Sequence, residues 1–174
     1  RRLDDAVEMI QANRATVLYG VAGFVRRVLV RAEELRADFS RVGVAMLTGE
    51  ASSDAMRRDM QQRMTRLGCA DRRIINRYGG TELGSSLLEC SEGSGFHCLA
   101  PDQIYHEVVD ADSGDRLADG RQGMLAFTTL IRRGTVFLRY KIGDIVALDR
   151  KACPFCGRTS PRITSDPVRS GDIV

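Results

Sequence analysis

Residues 78–84 read Tyr78-Gly79-Gly80-Thr81-Glu82-Leu83-Gly84, and they directly follow an apolar run, Arg73-Ile74-Ile75-Asn76-Arg77, that reads as a buried strand. A glycine turn at the C-terminal end of that strand presents a hydroxyl and a carboxylate side by side. In open α/β sheets this edge is where ligands bind. Thr81 can donate a hydrogen bond to a phosphate oxygen. Glu82 can hold a hard divalent cation, the usual companion of phosphates. Tyr78 can cover a flat base. Taken alone, the same residues would also make an ordinary surface turn.

Upstream of this stretch, helix and strand signals alternate. Leu3, Val7 and Ile10 share a helical face. Ala15–Tyr19 reads as a short strand ending at Gly20, and Phe24, Val25, Val28, Leu29, Ala32 and Leu35 mark a second amphipathic helix. Val42–Leu47 is a continuous apolar run, the pattern of a strand covered on both faces. Ser52 or Ser53 can cap the next helix, with Asp54 favourable in its first turn. Met56, Met60, Met64 and Leu67 form a stripe along that helix, which reads as core packing. This alternation predicts a parallel sheet flanked by helices.

From about residue 100 the rhythm changes. Ile104–Asp110, Met124–Leu130, Val136–Tyr140 and Ile145–Leu148 are strand candidates, with no helical pattern between them. Turn-rich pieces separate them, such as Asp112-Ser113-Gly114-Asp115. A small, mostly antiparallel β portion follows from this spacing. The expected fold class is therefore α/β over residues 1–99, then an antiparallel β subdomain over 100–174.

Composition bounds the function. The 174 residues are 43% hydrophobic with a net charge of +3, enough apolar content for a packed core. Of the basic residues, 24 are Arg and 2 are Lys, scattered among acids and with few aromatics between them. That pattern reads as solvated helix faces and not as a nucleic-acid surface. No apolar run approaches the ~18 residues of a transmembrane helix. No leader is recognisable, so the expected compartment is the cytoplasm, with neither membrane nor nucleic acid as partner.

Cysteine spacing carries a second signal. Cys153-Pro154-Phe155-Cys156-Gly157 is a tight C-x-x-C turn that can point two thiolates at one metal. A redox pair is the alternative, but no thioredoxin-like βαβ context surrounds it. A tetrahedral zinc site needs two more ligands, and Cys90-x6-His97 supplies a candidate pair. Cys98 adjoins His97 and is a rival ligand, while Cys69 is spare. A third element, Arg139-Tyr140-Lys141-Ile142-Gly143-Asp144, ends a strand in an aspartate that could accept two hydrogen bonds from a ribose diol.

In this order the motifs resemble the adenylate-forming acyl-CoA synthetases, and within them the phenylacetate-CoA ligase branch. They run Tyr78–Glu82, Glu89-Cys90-x6-His97, Tyr105–Asp110, Gly123–Leu130, Arg139–Asp144 and Cys153-x-x-Cys156-Gly157-Arg158-Thr159. The resemblance covers the chain from about residue 42 onward. It implies a two-step reaction in which a carboxylic acid is joined to AMP from ATP and the acyl group then passes to coenzyme A. It implies that Thr81 binds the α-phosphate and Glu82 binds Mg2+. Tyr78, Gly79 and Gly80 would lie along the nucleotide, as would Gly49 and Glu50. Asp144 and Arg169 would hold the ribose. Cys90, His97, Cys153 and Cys156 match structural zinc positions of this branch. Tyr19, Gly20 and Gly23 are candidates to line an acyl pocket, with strand-end packing as the alternative, and an aromatic acid is the expected substrate.

Departures accompany the likeness. The family's glycine- and Ser/Thr-rich phosphate loop and its catalytic lysine have no counterpart here, and the two lysines, Lys141 and Lys151, lie in other contexts. Met124 stands where the family has Glu, and Gly171 where it has an acidic hinge residue. The chain therefore reads as the later part of a large adenylating domain. By itself it is expected to bind nucleotide weakly, to adenylate poorly and to self-associate as a dimer. Two other readings remain open on sequence. One is a non-catalytic, zinc-stabilised nucleotide-binding or interaction domain. The other is an adenylating enzyme that serves a carrier-protein thiol.

Overall fold

A computed structural model describes residues 2–172. The chain divides into two compact units, one ending at Tyr78 and one starting at Gly79.

The first unit is a three-stranded parallel sheet with helices. Its order is α1 (Arg2–Ala12), β1 (Val17–Val21), α2 (Ala22–Glu34), β2 (Val44–Thr48), α3 (Asp54–Arg66) and β3 (Arg73–Tyr78). β1 pairs with β2 and β2 with β3, all parallel. Each helix forms where the sequence sets apolar residues three and four apart. Val7 of α1, Val25, Val28 and Leu29 of α2, and Met60 and Met64 of α3 enter one core with Leu18, Ala45, Leu47 and Ile74 of the sheet. The methionine stripe is thus core packing, as its spacing predicts. Ser53 caps α3 by accepting the Met56 amide at 3.2 Å. Gly68, at φ +73°, ends that helix in the left-handed conformation glycine adopts without penalty.

β2 departs from the expectation of two covered faces. Ala45 and Leu47 are buried, whereas Val44, Met46 and Thr48 alternate with them at intermediate exposure. The helices pack on one face, so a run that is apolar throughout is covered on alternate residues only. β1 shows the same alternation and runs through Gly20 to Val21, further than its predicted end. The helix charges also do more than face solvent. Arg63 of α3 pairs with Glu33 of α2 and with Asp59 at 3.0 Å, and Arg31 of α2 reaches Asp4 of α1 at 2.5 Å.

The second unit is antiparallel and contains no α-helix among its described residues. Its strands are β4 (Leu87–Leu88), β5 (Phe96–Cys98), β6 (Ile104–Val109), β7 (Gln122–Thr129), β8 (Tyr140–Asp149), β9 (Arg162–Ile163) and β10 (Val168–Arg169). The pairing runs β4-β5-β9-β8-β7-β6, and β10 joins β8. Leu125, Phe127, Val146, Leu148 and Ile163 are buried in this unit, and the Phe127 ring meets Phe137 and Tyr140 edge-on at 5.4 and 5.5 Å.

Three sequence expectations differ here. The units meet at residues 78 and 79, whereas the rhythm of the sequence changes near residue 100. Residues 79–99 hold two very short strands that pair through β5 to β9, a partner far along the chain. Val136–Leu138 is not a strand: the Phe137 and Arg139 amides donate to the Thr129 and Thr128 hydroxyls, and Arg139 sits at φ +48°. Asp144 lies inside β8 and not at a strand end. Met124 pairs with Ile145 and Ala126 with Lys141, so Leu125 faces a bulge at Ile142-Gly143-Asp144, with Gly143 at φ +90°.

Candidate functional site

The motif of residues 79–84 forms a turn in the second unit, with Thr81 and Glu82 both exposed. Its shape depends on contacts that the local sequence does not announce. Arg132 donates from Nη1 to the Glu82 carbonyl at 2.8 Å and from Nη2 to the Leu83 carbonyl. Gly84 lies beneath this guanidinium at φ +57°, and a Cβ there would run into it. Gly80 leaves room on the other side: a Cβ on it would come within 3.0 Å of Glu82 Oε2 and 3.3 Å of Ile142 Cδ1.

Ile142 brings the β8 bulge to the turn. Two residues on, Asp144 has a mostly buried side chain, 13% exposed, which fixes where its carboxylate can point. Arg169, on β10 opposite Asp144, donates from Nη1 to the Ile142 carbonyl at 2.7 Å and to Asp144 Oδ1 at 3.1 Å. Gly80, Ile142, Asp144 and Arg169 are therefore contiguous. The turn that carries Thr81 and Glu82 thus adjoins the bulge at Ile142, and the Asp144 carboxylate and Arg169 guanidinium pair at that same bulge. Arg132 is the residue the sequence reading missed here. It sits in Ile131-Arg132-Arg133-Gly134, which reads as a solvated charged loop.

The first unit holds the other predicted positions. Gly49, at φ +79°, and Glu50 follow β2, and Tyr78 ends β3. Glu50 Oε1 accepts the Gly23 amide in the first turn of α2, a helix whose Val21 N-cap has no side chain to do so. A Cβ on Gly23 would lie 2.9 Å from that oxygen, so a larger residue there would push the carboxylate aside. The Arg77 guanidinium stands 5.8 Å from the centre of the Tyr19 ring and donates to Thr48 Oγ1 at 3.2 Å.

The cysteine signals converge in the second unit. Cys90, His97, Cys153 and Cys156 place four ligand atoms within 4.8 Å of one another. Cys90 Sγ is 3.9 Å from Cys153 Sγ, and Cys156 Sγ is 3.8 Å from His97 Nε2. A tetrahedral zinc ion with bonds of ~2.3 Å to sulfur and ~2.0 Å to nitrogen sets its ligand atoms roughly 3.5–3.8 Å apart. The donor set fits that ion. Burial opposes ionisation of the Cys153 thiol, but the Phe155 and Cys156 amides and the neighbouring thiols outweigh it and bring the pKa to about 7. Burial, with the charges of Arg158 and Arg162, lowers the His97 pKa and favours the neutral imidazole that binds metals. Cys98 is not in the cluster: it follows His97 on β5, and successive strand residues face opposite ways.

Among the described residues, no helix is long and apolar enough to cross a membrane. The family model described as "AMP-binding enzyme" matches residues 1–140. The phenylacetate-coenzyme A ligase of Thermus thermophilus is 34% identical over 148 residues, which is 83% of this chain and 30% of that protein. The Escherichia coli enzyme of the same name is 32% identical over 136 residues, 77% of this chain and 28% of the relative. This chain thus spans about a third of the length of the curated relatives it matches. A solved 2-hydroxyisobutyryl-CoA ligase, bound to its acyl-AMP and CoA, superposes with a TM-score of 0.78 at 21% identity, covering 97% of this chain and 35% of that one. A long-chain-fatty-acid-CoA ligase from Archaeoglobus fulgidus gives 0.64 at 14% identity, over 96% and 37% of the two chains. These structures share the fold.

Proposed function

The chain belongs to the AMP-binding enzyme family, and from that premise we propose that it serves the ATP-dependent activation of a carboxylic acid as an acyl-adenylate, with transfer of the acyl group to coenzyme A. The observation that carries this reading is the contiguity of the Thr81–Glu82 turn, the Asp144 bulge and Arg169. In the first step a substrate carboxylate oxygen attacks the α-phosphorus, the bond to the bridging oxygen breaks, and pyrophosphate leaves. Charge on phosphate oxygens dominates such a step, so fixed donors and cations decide its rate. Thr81 donates to the α-phosphate, and Gly79 and Gly80 let the backbone approach it. Glu82 would hold Mg2+, which would supply charge neutralisation when bound. Asp144 accepts from the ribose hydroxyls, and Arg169 holds its carboxylate in place. In the second step the coenzyme A thiol attacks the acyl carbon and AMP leaves.

The names of the curated relatives support an aromatic acid such as phenylacetate and coenzyme A as the acceptor. Zinc held by Cys90, His97, Cys153 and Cys156 would be structural, since four protein ligands leave no position for substrate. It would tie the loop after β4 to the turn after β8.

Binding of AMP to the chain, measured by calorimetry, tests the site. Asp144→Ala is expected to weaken AMP at least tenfold. Equal affinity in wild type and variant would remove the ribose role. The chain by itself is expected to exchange pyrophosphate poorly with every acid, so AMP binding is the deciding measurement: wild type that binds no AMP removes the nucleotide site.

A further inference from the structure

We propose that Arg162 is a positioning residue of the metal cluster: its buried guanidinium joins the two halves of the site and offsets its excess negative charge. The inference rests on the zinc reading above. The Cys90–His97 loop and the Cys153–Cys156 turn are far apart in sequence, and Arg162 on β9 touches both. Its Nη1 donates to the Ser94 carbonyl at 2.9 Å and to Cys153 Sγ at 3.4 Å. Ser94 in turn orders the first loop, because its hydroxyl accepts the Cys90 amide at 3.0 Å and the Ser91 amide at 3.3 Å. Arg162 is the Cα partner of His97 across β5 and β9, so the strand register itself sets it beside a ligand.

Charge supplies the second argument. Three thiolates and a neutral imidazole around a divalent ion leave one negative charge in excess. A buried cation at hydrogen-bond distance from one sulfur offsets it. Arg162 is 7% exposed, so this charge is little screened by water. Its nearest carboxylate, Asp149, is 3.8 Å away, further than the sulfur. A buried arginine held mainly by a carboxylate would show the reverse order. The arrangement also explains Gly95, where a Cβ would meet the Ile163 carbonyl and approach Arg162 Cγ at 3.3 Å. The loop crosses β9 closely enough for its Ser94 carbonyl to meet the guanidinium.

The test uses the purified chain loaded with zinc, competed against a chromophoric chelator, and the same proteins loaded with Co2+. Wild type, Arg162→Met, Arg162→Lys and the control Asp149→Asn are compared, with folding followed by circular dichroism. Loss of a group that orients a ligand commonly costs ~10–100-fold in metal affinity. Arg162→Met is expected to lose that much, Arg162→Lys to recover most of it through its charge, and Asp149→Asn to match wild type. Removing a hydrogen bond from a thiolate raises the energy of its lone pairs. The sulfur-to-cobalt charge-transfer band of Arg162→Met should therefore move to lower energy, a change that loosened packing alone would not produce. If Arg162→Met does not fold, the neutral Arg162→Gln takes its place with the same expectation. A folded neutral variant with wild-type affinity and an unmoved band overturns the proposal. Wild type that binds neither zinc nor cobalt overturns the metal reading itself.

Discussion

His106 makes the chain's stability depend on pH in a calculable way. The residue lies on β6 at 1% exposure, and neither ring nitrogen makes a hydrogen bond of good geometry among the described residues. Burial is the main cause of its depressed pKa, the charge of Arg150 adds to it, and the Ile104 backbone opposes it only in part. The result is about 4 against an ordinary 6.5. The folded state therefore refuses a proton that the unfolded state accepts. Stability from this group is complete above the unfolded value and falls as pH drops from 6.5 towards 4. With those two values, linkage gives a loss of about 2 kcal/mol between pH 7.5 and 5, and roughly 3 kcal/mol at the acid limit. His106→Leu keeps a similar volume, removes the titration and leaves no unpaired polar atom. Urea denaturation of wild type and variant, followed by circular dichroism, should show the wild type losing about 2 kcal/mol more over that interval. His97, whose pKa burial also lowers, is present in both proteins, so its contribution cancels. The chain has only two histidines, so the His106 ring proton can be followed directly by NMR. A ring titrating near its ordinary value, or equal pH slopes for the two proteins, would refute this account.

Gly84→Ala places a methyl group against the Arg132 guanidinium at a positive φ and should cost about 1–2 kcal/mol for the backbone alone. In a double-mutant cycle with Arg132→Ala the penalties should be clearly less than additive, and strict additivity would sever the link between the two. Cys153→Ser should lose bound metal, whereas Cys98→Ser should keep about one zinc per chain by metal analysis; the opposite pattern would make Cys98 the ligand. Leu130, Ile131, Val136 and Leu138 are all exposed in one loop region, and Val17, Tyr19 and Val21 are exposed on β1. Sedimentation should accordingly show self-association that Leu138→Glu and Tyr19→Glu weaken. A monomer at high concentration removes that expectation.

Much of this molecule was legible in its residues. The helices of the first unit were, because a 3.6-residue apolar period needs only near neighbours to be recognised. So was a serine cap at 52 or 53, of which the structure uses Ser53, because its bond spans only three residues. The Cys90–His97 and Cys153–Cys156 pairs were visible because metal ligands occur in short, fixed spacings. The order of separated motifs identified the family. What the sequence could not show lies in contacts between distant residues. The two- and three-residue strands β4, β5, β9 and β10 have no period to detect and exist because partners far along the chain complete their hydrogen bonds. The bulge that puts Asp144 inside β8 follows from the pairing of β7 and β10 with that strand. Arg132 and Arg162 look like any of the surface arginines until the fold brings the Glu82 and Leu83 carbonyls to one and the Ser94 carbonyl and Cys153 sulfur to the other. Local pattern is set by the chain's own geometry over a few residues. A guanidinium's partners are set by where the whole chain folds, and only the tertiary structure decides that.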